Sequence, residues 1–166
     1  MKNILELLDE VRSIAQLGLC YAENEYDRLR YELGYITPKV GVNGVVFNKE
    51  GKILLERRVD DNSWAIPGGW AEIGESPQES VKREIYEETG LNVEVKEIID
   101  IFTRLPGECG QPHTTYHILF HCEVIDGNLK TSFESTEVGF YDYHEIEEWH
   151  KDHFKMVKKA YEFLNG

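Results

Sequence analysis

Three glutamates, Glu84, Glu87 and Glu88, lie three and four residues apart within one helix-forming stretch, residues 77–89. At helical spacing they fall along a single stripe. Like charges so placed repel by about 0.2–0.5 kcal/mol per pair in isolated helices. Glu87 and Glu88 also occupy the last turn, where the negative end of the helix dipole disfavours an acid by about 0.3–1 kcal/mol. Arg83 precedes Glu87 by four residues, the weaker order for an ion pair. Val81 and Ile85 set the apolar face beside the stripe, so the carboxylates are expected near the rim of a sheet. Two explanations fit. The acids are three tolerated surface glutamates, since exposed charges cost little. Alternatively they hold a hard divalent cation such as Mg²⁺, which binds through a few carboxylates plus phosphate oxygens and water. The helix alone leaves both open.

The sequence on either side is more specific. Ser76 is placed to cap the helix, Pro77 suits its first position and Glu79 completes a capping box. Gly90 is placed to end it in a left-handed conformation. Ahead of the helix runs Trp64-Ala65-Ile66-Pro67-Gly68-Gly69-Trp70-Ala71-Glu72-Ile73-Gly74-Glu75. From Gly69 the chain reads Gly, five residues, Glu75, seven residues, Arg83-Glu84-Ile85-Tyr86-Glu87-Glu88-Thr89-Gly90-Leu91. This resembles the Nudix box, GX5EX7REUXEEXGU with U apolar, at every constrained position. Typical residue frequencies put a chance match in such a chain on the order of 10⁻⁷.

The resemblance implies a fold and a set of roles. The fold class is α/β, a Nudix α/β/α sandwich with a mixed sheet, preceded by a short helical N-terminal segment. Glu84 and Glu88 are the implied principal metal ligands. Glu87 is a further ligand, directly or through water, and the carbonyl of Gly68 another, with two glycines allowing close backbone approach. The cofactor is Mg²⁺, with Mn²⁺ as the alternative. Arg83 and Glu75 read as a structural ion pair. In this chemistry the cation polarises a pyrophosphate phosphorus, a general base frees a water, and one P–O–P bridge breaks. Glu137, in Ser135-Thr136-Glu137-Val138-Gly139-Phe140, resembles a later acidic residue serving as base or ligand, with Glu134 as its backup. The catalytic set is therefore Glu84, Glu87, Glu88 and Glu137. Arg57 and Arg58 are candidates for substrate phosphate and Trp70 for stacking on a base. The plainer alternatives are a solvated strand end for the arginines, and for Trp70, as for Trp64, packing under the loop.

These groups must be positioned by the elements around them. Over residues 1–33, Ile4, Leu7, Leu8, Val11, Ile14 and Ala15 form an apolar helical stripe. Gly18 and the stretch Glu23-Asn24-Glu25 break this region into two helices. The stripe is read as packing on the main domain or on a second subunit, which would make a homodimer. A boundary at Gly34–Pro38 divides the chain into 1–37, the helical segment, and 38–166, the Nudix domain. Residues 40–47 and 53–55, joined by Asn48-Lys49-Glu50-Gly51, predict a hairpin. Further strands are expected over 93–103, 114–124 and 138–143, and helices over 145–149 and 153–164. His117 and His121 fall on one strand face about 13 Å apart, too far to share a metal, although His117 could line a pocket. His144, His150 and His153 surround a helical stretch without an HExxH motif.

Composition narrows the function. The formal net charge of −13 disfavours duplex nucleic acid, whose binding rests on Lys and Arg neutralising phosphates. A small anionic substrate bridged by metal remains compatible. No apolar run is long enough to span a bilayer, and acids interrupt the N-terminal stretch where a secretory signal would need an apolar core. The three cysteines, Cys20, Cys109 and Cys122, suit free thiols in a reducing cytoplasm. The layout further resembles Nudix hydrolases of X-linked nucleoside diphosphates that carry a helical N-terminal segment. Residues 14–19, 25–27, 35–40, 67–70 and 137–140 carry that likeness, although the N-terminal segment here is short. The implied reaction converts an ADP-ribose or CDP-choline type substrate to a nucleoside monophosphate and phosphoryl-X. Pro106, fifteen residues after Leu91, matches a position associated with ADP-ribose. The absence of Tyr at 107–109 counts against dinucleoside polyphosphates. The alternatives are a nucleoside triphosphate pyrophosphatase and a non-catalytic nucleotide sensor, the latter disfavoured by the intact box.

Overall fold

Val45-Val46 and Ile53-Leu54-Leu55 carry apolar side chains at consecutive positions, so both faces of these strands must be covered. In the computed structural model, which describes residues 38–111 and 113–166, they are covered on both. The chain divides into two units, Met1–Thr37 and Pro38–Gly166. The expected helices of residues 1–33 and most of the expected boundary lie outside the described residues. So does Cys20, whereas Cys109 and Cys122 are free thiols.

The second unit runs β1 (Lys39–Val46), β2 (Ile53–Arg58), β3 (Trp64–Ala65), β4 (Gly68–Trp70), α1 (Pro77–Thr89), β5 (Leu91–Arg104), β6 (Thr115–Gly127), β7 (Ser135–Tyr141) and α2 (His153–Leu164). One four-stranded sheet has the order β4-β1-β6-β5 and a three-stranded sheet the order β3-β2-β7. β1 and β6 are parallel, and the other pairs are antiparallel. Val42, Val46, Leu54, Val81, Ile85 and Phe120 form one core under α1. Val45, Ile53, Leu55, Leu119, Met156 and Val157 form the other under α2. Neighbours such as Val45 and Val46, or Leu54 and Leu55, thus supply opposite cores. This is the mixed-sheet α/β/α sandwich.

Two local expectations are corrected. β1 and β2 do not form a hairpin. The turn is present, with Asn48 N–H donating to Lys52 O at 2.9 Å, but the pairing stops at one bridge, Phe47 to Ile53. Beyond it β1 pairs with β4 and β6, and β2 with β3 and β7. Residues 145–149 are not a helix. A short 3₁₀ turn at Tyr143–Glu145 precedes extended chain, and Trp149 bridges Trp64. There Trp64 N–H donates to Glu148 O and His150 N–H to Trp64 O, each at 2.9 Å. Pairing with β3 satisfies backbone groups that a single isolated turn would leave open. No helix among the described residues is long and apolar enough to cross a membrane.

Helix α1 is held at both ends by its own sequence. Glu79 N–H donates to Ser76 Oγ at 3.3 Å, and Ser76 N–H to Glu79 Oε2 at 2.8 Å, which closes the capping box. Gly90 ends the helix at φ 76°, its N–H donating to Tyr86 O at 2.8 Å. Val81 and Ile85 are fully buried, so rotation about the helix axis is fixed as well. Replacing Ser76 with Ala is expected to lower stability by about 1 kcal/mol. Urea unfolding should show this as a lower midpoint at unchanged slope.

Candidate active site

The site is built where the Gly68-Gly69 strand meets the glutamate stripe of α1. β4 pairs with β1 through Gly68 with Asn43 and Gly69 with Val42. At Gly68, φ is 153° and an added Cβ would lie 2.1 Å from the Val42 carbonyl oxygen. At Gly69 an added Cβ would fall 2.6 Å from the Glu84 carboxyl group. Only glycine lets the strand lie this close to both β1 and the helix. Gly68 N–H donates to Glu88 Oε2 at 2.8 Å, joining strand and helix directly. Arg83 joins them again. Its Nη2 donates to the Trp70 carbonyl on the strand at 3.4 Å, its Nε lies 3.2 Å from both Glu75 oxygens, and its Nη1 reaches Glu84 at 3.0 Å and Glu87 at 3.2 Å. The Arg83–Glu75 pair read from the sequence is formed.

A cleft of about 420 Å³ opens over this junction, within the usual range for small-molecule sites of about 300–1,000 Å³. Glu56, Glu84, Glu88 and Glu134 line it, as do Arg58, Arg104, Lys151, His117, His150 and His153. Burial pushes the Glu88 carboxyl well above the usual carboxylate range, and the charge of Glu56 pushes it further. Burial likewise raises Glu56, with only partial relief from Arg58, and raises Glu84 despite Arg83 beside it. The acidic wall is thus short of positive charge in the protein itself.

The sequence-derived candidates divide by strand register and helix face. Gly68, Glu84, Glu88, Trp70, Arg58 and the backup acid Glu134 all line the cleft. Trp70 is 41% exposed and sits at the rim, its ring 5.6 Å from that of His117. Arg58 is held by Asp60 through two contacts of 2.9 and 3.0 Å. Arg57 and Glu137 are not brought into the cleft. They are register partners on β2 and β7 and pair with each other at 2.7 Å. The physical reason is strand alternation: Glu56 points into the cleft, so Arg57 and the residue opposite it point away. Glu87 also lies outside the cleft, its side chain 57% exposed and paired with Arg83.

Glu56, Asn43, Arg104 and Lys151 line the cleft but went unremarked in the sequence, whereas His117 lines it as the sequence allowed, and His150 and His153 join it. Glu56 follows the apolar run Ile53-Leu54-Leu55, at a position that alternation assigns to the same face as Leu54. A carboxylate there was the available signal. Arg104 Nη1 donates to His117 Nε2 at 2.8 Å, and Arg104 Nε reaches Asp152 at 3.1 Å. His117 Nδ1 lies 3.2 Å from Asn43 Oδ1, and Asn43 Nδ2 donates to Ile66 O at 3.4 Å. Because arginine can only donate, His117 must accept at Nε2 and carry its proton on Nδ1. Ile66 N–H donates to His153 Nδ1 at 3.0 Å, and His150 Nδ1 lies 2.9 Å from Asp61. Only folding brings these groups, far apart in the chain, to one cleft. His121 is elsewhere, its ring 5.5 Å from that of Phe163.

Among the described residues no three His, Cys, Asp or Glu side chains are already gathered as a metal-ligand set. The donor chemistry nevertheless fits a hard divalent cation. The acids offer oxygen, two glycines allow close approach, and both Glu56 oxygens are buried without a partner.

This arrangement, a glycine strand locked to a glutamate helix inside an α/β/α sandwich, defines the class. The chain belongs to the Nudix family: the NUDIX domain model matches residues 37–162. It is a Nudix hydrolase, and a second model, a UDP-X-like N-terminal oligomerisation domain, matches residues 2–33. Among individual relatives, an ADP-ribose pyrophosphatase of Methanocaldococcus jannaschii is 36% identical, with 84% of this chain and 82% of that protein covered. YjhB of Bacillus subtilis, provisionally named an ADP-ribose pyrophosphatase, is 34% identical over 82% of this chain and 79% of its own. Among solved structures, a UDP-X diphosphatase shares the fold with a TM-score of 0.70 at 23% identity, covering 98% of this chain and 94% of that one.

The His117 network gives a pH prediction. Burial, and then the charge of Arg104, lower the His117 pKa from 6.5 to about 4. The unfolded chain therefore takes up this proton first as pH falls. The contribution is intact above about pH 6.5 and is lost between there and about pH 4, at most about 3 kcal/mol. NMR titration should show the His117 ring signals flat from pH 8 to about 5, and a midpoint near 6.5 would contradict the assignment.

Proposed function

We propose that this chain is a divalent-metal-dependent pyrophosphatase of nucleoside diphosphates linked to a further group. ADP-ribose and CDP-choline type substrates would be split to a nucleoside monophosphate and phosphoryl-X. The observation that carries the reading is the cleft itself, which Glu84, Glu88 and Gly68 line together with Arg58, Arg104 and Lys151. A diphosphate needs both. The relatives named for ADP-ribose extend over more than four fifths of the chain, which supports that substrate class. Pro106 lies in the turn between Arg104 and Gln111, both of which line the cleft.

In this reading Glu84, Glu88 and the Gly68 carbonyl hold Mg²⁺ or Mn²⁺, and Glu87 contributes through water while anchoring Arg83. The bound cation supplies charge neutralisation on the diphosphate oxygens and makes the phosphorus more electrophilic. Arg58 and Lys151 orient the outer phosphate oxygens, and Trp70 at the rim stacks on the base. Glu134 accepts the proton of the attacking water. Its place in the cleft favours it over Glu137, which is engaged by Arg57. The segment matching the oligomerisation model supports a homodimer built through residues 2–33.

The test is turnover of ADP-ribose, CDP-choline, UDP-glucose and a nucleoside triphosphate with Mg²⁺. A nucleoside monophosphate should form from at least one of the first three, as a phosphatase-sensitive product from a resistant substrate. Glu88→Gln should reduce kcat by roughly two orders of magnitude or more, matching the loss of several kcal/mol of charge stabilisation. Glu134→Gln should lower kcat with little change in KM, whereas Glu137→Gln should stay within a few-fold of wild type. Cleavage of the triphosphate alone would discard the substrate class and keep the metal chemistry.

A further inference from the structure

Glu56 has no explanation in packing. It is fully buried, with 0% exposure, and neither carboxylate oxygen has a hydrogen-bond partner. Its neighbours on the strand, Leu54 and Leu55, are core residues on opposite faces. By alternation Glu56 shares the face of Leu54, towards α1. Its register partner on β7, Val138, packs against that same core. A leucine or valine at this position would extend the core, whereas a buried carboxylate without a partner is strongly disfavoured. Arg58, the cation two residues along the strand that lines the same cleft, is held by Asp60 and makes no hydrogen bond to Glu56.

What the carboxylate faces is the cleft. It lines that cavity with Glu84 and Glu88, and Glu88 stands one turn beyond Ile85, which packs in the same core as Leu54. Glu56 makes no hydrogen bond to Glu88, so the two are not stabilised as an acid–carboxylate pair sharing a proton. The group that satisfies an unpartnered buried carboxylate facing two further carboxylates in one cavity is a cation bound between them. We infer that Glu56, which lies on β2 outside the glutamate helix, is a further carboxylate ligand of the divalent ion held by Glu84 and Glu88. This rests on the metal reading proposed above and assigns to that ion a ligand from a different element. The ion would then link the three-stranded sheet to α1, through Glu56 on β2, as well as binding substrate.

The experiment is Mn²⁺ binding to the substrate-free protein, followed by the EPR signal of free Mn²⁺. Wild type is compared with Glu56→Gln, Glu88→Gln and, as a control for general charge loss, Glu72→Gln. Glu72 lines the cleft but its side chain is 65% exposed. Glu56→Gln and Glu88→Gln should each raise the Kd at least about tenfold, since even groups that only support a ligand shift affinity about 10–100-fold. Glu72→Gln should stay within about twofold. If Glu56→Gln changes the Kd no more than Glu72→Gln does, Glu56 is not a ligand and the inference is overturned, while the Glu84–Glu88 site stands. If wild type binds no Mn²⁺, or Glu88→Gln leaves the Kd unchanged, the metal reading of the cleft itself falls. Cooperative thermal unfolding in EDTA checks that each variant folds. Should Glu56→Gln not fold, Glu56→Asp, which keeps the charge and withdraws it by one methylene, is read by the same Kd criterion.

Discussion

The hydrogen bond from the Gly68 amide to the Glu88 carboxylate at 2.8 Å is the contact on which the rest of the site depends. It joins a strand only three residues long to the last turn of a helix whose own dipole disfavours an acid there. Two glycines make the approach sterically allowed, because any Cβ at Gly68 or Gly69 would collide with β1 or with Glu84. The capping box and the left-handed Gly90 then fix where along α1 the stripe begins and ends. Val81 and Ile85, fully buried, fix which way it turns. A helix with unfavourable charge placement is thereby held against a strand whose Gly68 amide donates to Glu88 and whose Trp70 carbonyl accepts from Arg83.

Electrostatics follow from that constraint. Glu56, Glu84 and Glu88 are raised first by burial and then by neighbouring acids, Glu134 among them in each case, and the protein supplies few cations to relieve them. Arg83 is shared among Glu75, Glu84 and Glu87, and Arg58 is engaged by Asp60. The cleft lining also carries Arg104, Lys151 and three histidines. A chain of net charge −13 can thus receive an anionic diphosphate, because attraction is local to the cleft and bulk repulsion is screened over about 10 Å at ordinary ionic strength. The Asp152–Arg104–His117–Asn43 chain of contacts holds this part of the lining in place. It also fixes the His117 tautomer, while burial and then the charge of Arg104 keep that ring neutral down to about pH 4.

Local rules carried far in this chain wherever a single element decided the outcome. The capping box, the left-handed Gly90, the Glu75–Arg83 pair and the wall formed by Gly68, Glu84 and Glu88 all lie within one contiguous stretch of 23 residues, 69–91, and the glycine before it. Where two elements had to choose partners, the sequence was silent or pointed elsewhere. The turn between β1 and β2 reads as a hairpin, yet the strands enter different sheets because each is apolar on both faces and needs neighbours of its own. Residues 145–149 carry helix-forming side chains, but pairing with Trp64 satisfies their backbone instead.

The sequence by itself determined the family, the α/β/α architecture and the acidic helix, because these rest on spacing within segments of a few turns. Tertiary structure alone decided which side chains share the cleft. Register places Glu56 inward and turns Arg57 and Glu137 outward together. The packing of β4 against α1 sets how near Glu84 and Glu88 come to the backbone, and the return of the chain through residues 149–153 brings His150, Lys151 and His153 to the cleft. The physical reason is that spacing along a chain fixes faces within an element, whereas the meeting of faces depends on long-range strand pairing and core packing. Those are settled only when every element is in place.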